Sequence, residues 1–434
     1  MDATQYRSWL VSLRRELHQY PEPAWREFYT TARIAEELRQ LPADEILTGP
    51  EVLAGDQRLA VPEEAELEGW RARAREREDV DEDVLAKLEG GYTGAMATLD
   101  RGEGPEIGLR VDIDGLPIRE SEDETHVPAA EDFRSEEDGY MHACGHDGHA
   151  TIGLGVLQAV ADSDFEGTLK VFFQPAEEIV GGGKAVAESG HLDDLDGLLA
   201  VHLGLDHPTG EVVAGIDDFL AVSHIDAQFT GETAHAGAKP EEGRNAVQAM
   251  ATAVQNLYAV PRHSSGGTRI NAGKVGGGTA SNIVPEEASI EGEVRGESAE
   301  LVEYTREKAE RVIRSAAEMH DCEVTIEEGG RAPGGHSDEV VVDEVAGVAE
   351  EMAMVDSVVR RDALGGSEDA TYLMQRVQDN GGVAGYVCVG TDHPGGHHTS
   401  TFDVDEDSLV IGVEVLGETV LRLAKQLQER GETA

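Results

Sequence analysis

The segment 140–151, YMHACGHDGHAT, places three histidines, a cysteine and an aspartate in twelve positions. Imidazoles and a thiolate at that density can hold a divalent metal, can surround a cysteine nucleophile with bases, or can form an ordinary polar loop. His142, Cys144 and His146 alternate, so an extended backbone projects all three to one side. His146 and His149 are three apart and share a face if a helix begins there. The two geometries compete for His146.

Three further segments carry metal-competent side chains: adjacent Glu177 and Glu178 in FFQPAEE, His202 in LLAVHLG, and His398 in GGHHTS. A thiolate, imidazoles and a carboxylate form a borderline-soft ligand set suited to zinc or manganese-like ions. On an irregular turn, two neighbouring carboxylates can point apart. One then binds metal, and the other takes a proton from water whose pKa the metal lowers towards about 7. Each element also has an ordinary reading. PAEE can open a helix with acids in its first turn. His202 can be a packed core histidine, and His397 and His398 an exposed loop. Cys144 can be an inert small hydrophobe, or a nucleophile whose pKa neighbouring histidines depress. Joint occurrence favours the metal reading.

The elements that must position these residues alternate. Residues 5–40 predict a helix interrupted at YPEPAW, and 56–89 a charged, solvated helical insertion. GAMATLD, EIGLRVDIDGLPI, TLKVFFQ and DGLLAVHLG read as strands, and 150–161 as a buried helix. This predicts an α/β layer with a buried sheet and a ligand site at the strands' carboxyl ends. Near residue 222 the character changes to strand–helix–strand–strand–helix, with Val247, Met250, Val254 and Leu257 on one stripe. That is an inserted two-layer α+β unit. GYVCVG and a helix with Leu409, Val413, Leu416, Val420 and Leu423 then return to the first style. The expected division is 1–221 and 333–434 for the two parts of one domain, with 222–332 inserted.

Composition bounds the surroundings. The 434 residues carry 87 acidic against 35 basic side chains, a net charge of −52, and only seven of the basic residues are lysine. Such a surface stays hydrated at high ionic strength, where screening reduces self-repulsion, and predicts a salt-rich cytoplasm. It argues against nucleic-acid or anionic-membrane partners, which need basic patches. The first residues lack the apolar core of a signal peptide, and no window approaches the roughly 18 apolar residues of a membrane span. Cys144, Cys322 and Cys388 are odd in number and far apart, which fits a reducing compartment.

MHACGHDGHAT, FFQPAEE, AVHLG, GSEDATYLM and GHHTSTFDVDED together resemble the signature segments of the M20 family of metallopeptidases and amidohydrolases. They look most like the aminoacylase, hippurate and indole-acetyl-amino-acid hydrolase branch, in which a cysteine enters a dinuclear site. ELHQYPEPAWREFYTT and RVDIDGLPI match as well, so the resemblance spans nearly the whole chain. It implies a two-domain architecture: an α/β catalytic domain with an inserted α+β lid and dimerisation domain. It also implies two divalent ions per subunit, manganese or zinc, held by Cys144, His146, Glu178, His202 and His398. His398 is preferred to His397 because it stands four residues before Phe402. Glu177 becomes the general base and later the proton donor to the leaving amine. Asp112 and Asp114 stand where the family has acids beside the metals, orienting ligands. RVDIDGLP lacks the histidine that other branches carry there, which fits the cysteine type. His142 and His149 are left to ligand support or packing.

For the inserted domain, the resemblance implies that His235 in TAHAG stabilises the oxyanion, commonly from the partner subunit. Asn282 in SNIVP and Arg295 in EVRGE match positions that contact the substrate's carboxylate end. Arg244 in EGRNA is a further candidate, since a bidentate arginine holds a carboxylate well. The expected reaction is hydrolysis of an N-acyl or N-aroyl amino acid by a homodimer, with a hetero-oligomer as the other arrangement. A dipeptidase or carboxypeptidase would share the chemistry and differ in the acyl pocket. A non-catalytic metal-binding subunit would have no need of Glu177. A thiol hydrolase using Cys144 would work in chelator.

Overall fold

The computed structural model describes residues 1–77 and 80–433. Positions 78 and 79, within the expected 56–89 insertion, lie outside the described residues. The chain forms two compact units, one of Met1–Asp217, Gly335–Leu364 and the segment from Asp369 onward, the other of Asp218–Gly334 and Gly365–Glu368.

The first unit is built on a mixed eight-stranded sheet. In spatial order its strands are Glu45–Thr48, Ala95–Asp100, Thr168–Gln174, Glu106–Asp112, Gly197–Leu203, Val383–Val389, Glu211–Val213 and Ser357–Val359. The four central strands, from Thr168–Gln174 to Val383–Val389, run parallel. Gly197–Leu203 is buried at every position, as a parallel strand covered on both faces must be. Its apolar run GLLAV is therefore core, and His202 is carried on it. The helix His146–Ala161 packs against Arg7–Gln19 and Asp407–Thr433. Glycine permits that approach: a Cβ on Gly155 would stand 2.5 Å from Val413 Cγ2. The insertion forms helices Glu64–Arg75 and Glu82–Lys87. It is amphipathic rather than simply solvated, because Leu67, Trp70 and Ala74 are buried and Trp70 meets Tyr140 edge-on with ring centroids 5.0 Å apart.

The second unit is a four-stranded antiparallel sheet ordered Glu323–Ala332, Ala221–Thr230, Glu287–Gly296, Thr268–Gly277. Helices Ala246–Leu257 and Ala299–Met319 cover it, and both begin at side-chain caps, Asn245 accepting from the Gln248 N–H and Ser298 from that of Leu301. On the first helix Ala246, Ala249, Met250, Ala253 and Leu257 are buried. Val247 and Val254, expected at the centre of the stripe, are only half-buried because the alanines take the contact with the sheet. The strand Glu323–Ala332 was not among the expected elements: its acids, alternating with Val324 and Ile326, read as solvated chain.

Candidate metal centre

The parallel strands Glu106–Asp112, Thr168–Gln174 and Gly197–Leu203 deliver the candidate residues at their carboxyl ends. Asp112 pairs with Gln174 across the first two, and His202 lies in register with Cys388 of the next strand. Between them enters the helix His146–Ala161, started by Gly145 at φ 88°. Helical geometry thus wins the competition for His146, whose ring lies 5.2 Å from that of His149. His142 does not join the alternating set. It turns into the interior towards His18, 6.4 Å away between ring centroids, and burial lowers its pKa to about 3.

Residues named from four separate segments converge. Cys144 Sγ lies 3.4 Å from His202 Nε2, His146 Nε2 3.7 Å from Glu178 Oε1, and His398 Nε2 3.4 Å from Glu178 Oε2. Donor atoms of Cys144, His146 and Glu178 lie within 4.8 Å of one another, as do those of Cys144, His202 and His397. His398 has φ 58°, a conformation costly for a non-glycine residue and found where surroundings impose it. Its N–H donates to the Ala143 carbonyl at 2.8 Å, joining the two loops.

Hydrogen bonds set each imidazole's tautomer. His146 Nδ1 donates to Asp114 Oδ1 at 3.1 Å, so Nε2 is the nitrogen that faces Glu178 and is offered to an ion. The Leu203 backbone orients three rings. Its carbonyl accepts from His202 Nδ1 at 2.7 Å and from His397 Nε2 at 3.1 Å, while its N–H donates to His149 Nε2 at 2.8 Å. His149 is then protonated at Nδ1, which donates to Asp112. With both nitrogens committed, His149 supports the neighbouring His202 ring, 4.7 Å away, rather than offering a ligand atom.

The glutamates sit on the turn after Thr168–Gln174, not on a helix. Ala176 adopts φ 57°, and its N–H is held by Glu27 Oε1 at 2.8 Å. The Glu178 N–H donates to Asp114 Oδ2 at 3.0 Å. Glu178 then faces His146 and His398, while Glu177 Oε2 lies 4.0 Å from His146 Nε2.

The field in this pocket invites a cation. Burial pushes the Glu178 carboxyl up to about 8, reinforced by Asp114 and Asp112 and opposed by His146. Burial opposes charge on His146, yet Asp112, Asp114 and Glu178 outweigh it and push its pKa up to about 10. Burial and neighbouring rings hold His202 well below the usual imidazole range, so its Nε2 stays unprotonated. His146 Nε2 and Glu178 Oε1 are both buried and have no hydrogen-bond partner among the described residues. With the protons of His146 and Glu178 displaced by an ion, a thiolate, imidazoles and a carboxylate with such orphaned atoms fit divalent ions of the zinc or manganese kind. Beside them opens a cavity of about 410 Å³ lined by Cys144, His202, Leu205, His207, Leu364 and His398, among others.

The remaining candidates lie on the second unit. His235 is exposed, with Nδ1 accepting the N–H groups of Gly237 and Ala238. Asn282 is beside it, its carbonyl accepting the Ala236 N–H at 3.0 Å, and Arg244 is linked to Glu232 in the same loop cluster. Arg295 is elsewhere. It lies eight residues along the strand from Glu287, which at about 3.3 Å per residue separates it from this cluster by roughly 26 Å. Its guanidinium pairs with both oxygens of Glu293, at 2.9 and 3.0 Å.

Sequence reasoning passed over several supporting residues. Arg110 is fully buried and binds Gln174, Asp112 and Asp369, bracing strand ends. Its signal was an arginine inside an apolar strand. Glu27, which holds the glutamate turn, carried no such signal.

A model of the peptidase family M20/M25/M40 matches residues 108–422. The chain is 43% identical to indole-3-acetyl-aspartic acid hydrolase of Enterobacter agglomerans over 96% of each chain. It is 42% identical to one subunit of the p-aminobenzoyl-glutamate hydrolase of Escherichia coli over 94% of each. The crystal structure of an aminobenzoyl-glutamate utilization protein from Klebsiella pneumoniae matches with a TM-score of 0.83 at 35% identity, covering 96% of this chain and 97% of that one. A dinuclear metal binding peptidase of the M20 family from Bacillus subtilis shares the fold, with a TM-score of 0.67 at 24% identity over 97% of this chain and 99% of that one. With the family model spanning most of the sequence and close relatives matching end to end, the chain belongs to peptidase family M20/M25/M40.

Proposed function

We propose that this metal-dependent amidohydrolase cleaves N-acyl or N-aroyl amino acids, p-aminobenzoyl-glutamate-like conjugates among them, using two divalent ions, manganese or zinc. The observation that carries the proposal is the facing pair of buried, unpartnered atoms, His146 Nε2 and Glu178 Oε1, 3.7 Å apart. Cys144, His146, Glu178, His202 and His398 would hold the ions. Bound metals supply Lewis-acid polarisation of the scissile carbonyl and make water more acidic. Glu177 takes the proton of the attacking water and returns it to the leaving nitrogen. By their names, two relatives act on conjugates of an aromatic acid with aspartate or glutamate. The cavity walls Leu205, Ile216, Ala363 and Leu364 suit a flat apolar acyl group, beside a polar side formed by Asp206, His207 and Asp362.

Asn282 and Arg244 cannot share one substrate carboxylate with Arg295 in the same chain across roughly 26 Å of strand. Two chains resolve this, with His235 and Asn282 reaching the site of the opposite subunit, where His235 would stabilise the oxyanion. A homodimer through residues 222–332 is the simplest such assembly. The Escherichia coli relative is named as one subunit of its hydrolase, which supports a hetero-oligomer as the other. Among the described residues no helix is long and apolar enough to cross a membrane. With a net charge of −52, the enzyme is suited to a salt-rich cytoplasm and a small-molecule substrate.

The test is a panel of acyl-, aroyl- and dipeptidyl-amino acids assayed with manganese or zinc in concentrated potassium chloride. Aroyl-glutamates and aroyl-aspartates should be cleaved fastest. Preference for dipeptides would move the assignment to a dipeptidase, and activity that persists in chelator would move it to a thiol hydrolase.

A further inference from the structure

The early segment LRRELHQ is far in sequence from every candidate ligand, yet two of its residues reach the centre's loops. Arg14 and His18, one turn apart on the helix Arg7–Gln19, are both completely buried. Arg14 Nε lies 2.8 Å from Asp147 Oδ2, and Arg14 Nη2 lies 2.6 Å from Asp403 Oδ1. Asp147 directly follows His146. Asp403 stands five residues after His398 on the loop that carries it. His18 adds a second link, with Nδ1 2.8 Å from Asp147 Oδ2 and Nε2 2.9 Å from Glu120 Oε1.

We infer that Arg14 is a positioning residue for the metal centre, a clasp that fixes the spacing between the Cys144–His146 segment and the His398 segment. The inference rests on the metal-centre reading above. The guanidinium hydrogen-bonds Asp403 through Nη2 and stands in ion-pair contact with Asp147 at Nε, so one rigid plane lies between the two carboxylates and neutralises both. Lysine would supply the charge at one point and lose the second link. The carboxylates gripped follow candidate ligands in sequence, Asp147 in the first turn of the helix His146–Ala161 and Asp403 on the loop that carries His398, and these two segments are also tied by the His398–Ala143 main-chain bond. Losing a direct hydrogen-bond partner of a ligand commonly costs about 10–100-fold in metal affinity, and Arg14 acts one step further out, through the backbone of the two ligand-bearing segments.

The experiment titrates metal-free protein with cobalt(II), following the thiolate-to-metal absorption that reports Cys144, and separately records the melting temperature of the metal-free protein. Arg14→Met is expected to weaken the binding of at least one ion by up to about 10-fold, the lower end for a direct ligand partner, and to alter the cobalt spectrum, with Arg14→Lys restoring only part of the affinity. Asp403→Asn, which leaves the Arg14–Asp147 pair intact, should weaken binding in the same sense with a smaller fall in melting temperature. If Arg14→Met does not fold, Asp403→Asn decides by the same two readings. A lowered melting temperature with unchanged cobalt affinity and spectrum would overturn the inference, leaving Arg14 a structural core cation. If wild-type protein binds no cobalt at all, the metal-centre reading fails instead, and the two failures are distinct.

Discussion

Cys144 Sγ lies 3.4 Å from His202 Nε2, the ring nitrogen left unprotonated because Nδ1 donates to the Leu203 carbonyl. A neutral imidazole facing a thiol can share a metal with it but can also accept its proton. The two readings diverge on substitution. Cys144→Ser should lose metal occupancy first, since a hydroxyl replaces a thiolate ligand poorly. Metal content by atomic emission, read against residual activity, checks this. Complete loss of activity with both ions retained would restore the cysteine nucleophile.

Glu177→Gln preserves shape and removes the proton acceptor. Metal content should stay at the wild-type level while kcat falls by about 10²–10⁴-fold. Near-normal turnover in a metal-loaded variant would remove Glu177 from the mechanism.

Subunit complementation tests the shared site. Glu177→Gln and His235→Ala proteins should each be inactive or nearly so, loss of an oxyanion donor costing about 10²–10³-fold. After exchange, half the dimers are mixed and each has one site with both native residues, so activity should recover to at most about a quarter of wild type. Verified exchange with no recovery would confine His235 to its own chain or to no catalytic role.

The buried network around His18 gives stability a pH signature. Burial and Arg14 oppose charge on His18, but Asp147 and Glu120 outweigh them and push it up to about 9. Burial also opposes charge on Glu120, yet His126 and His18 hold it down at about 2. The raised histidine stabilises the fold fully below its unfolded pKa near 6.5, and that contribution is lost as pH rises through about 9. The lowered glutamate stabilises above about 4.5, and its share is lost as pH falls towards 2. The stability difference between wild type and His18→Gln in urea should therefore be largest between about pH 4.5 and 6.5 and shrink on both sides. A difference independent of pH would mean that His18 is uncharged in the native state.

Cys144, His146, Glu178, His202 and His398 could be singled out only by their joint occurrence, since each alone has an ordinary reading; His202, a polar residue inside the apolar run LLAVHLG, is the one whose burial the sequence itself leaves unexplained. The strands themselves were legible as apolar runs. The placement of His142 was not, because the choice between extended and helical backbone at 142–146 depends on Gly145 and on what packs below it. The strand Glu323–Ala332 hid behind solvated acids. Arg14 and His18 looked like the polar face of a surface helix, and only tertiary contact with Asp147 and Asp403 shows them to be core.

The backbone of one residue, Leu203, aims His149 through its N–H and His202 and His397 through its carbonyl. The information it carries is independent of its side chain, so any apolar residue of similar size could drift into position 203 without moving the rings. Conversely, replacing that single amide N–H with an ester oxygen, which leaves every side chain intact, would free His149 to flip and release Asp112 with it. Part of this centre's address is therefore written in the polymer rather than in the alphabet.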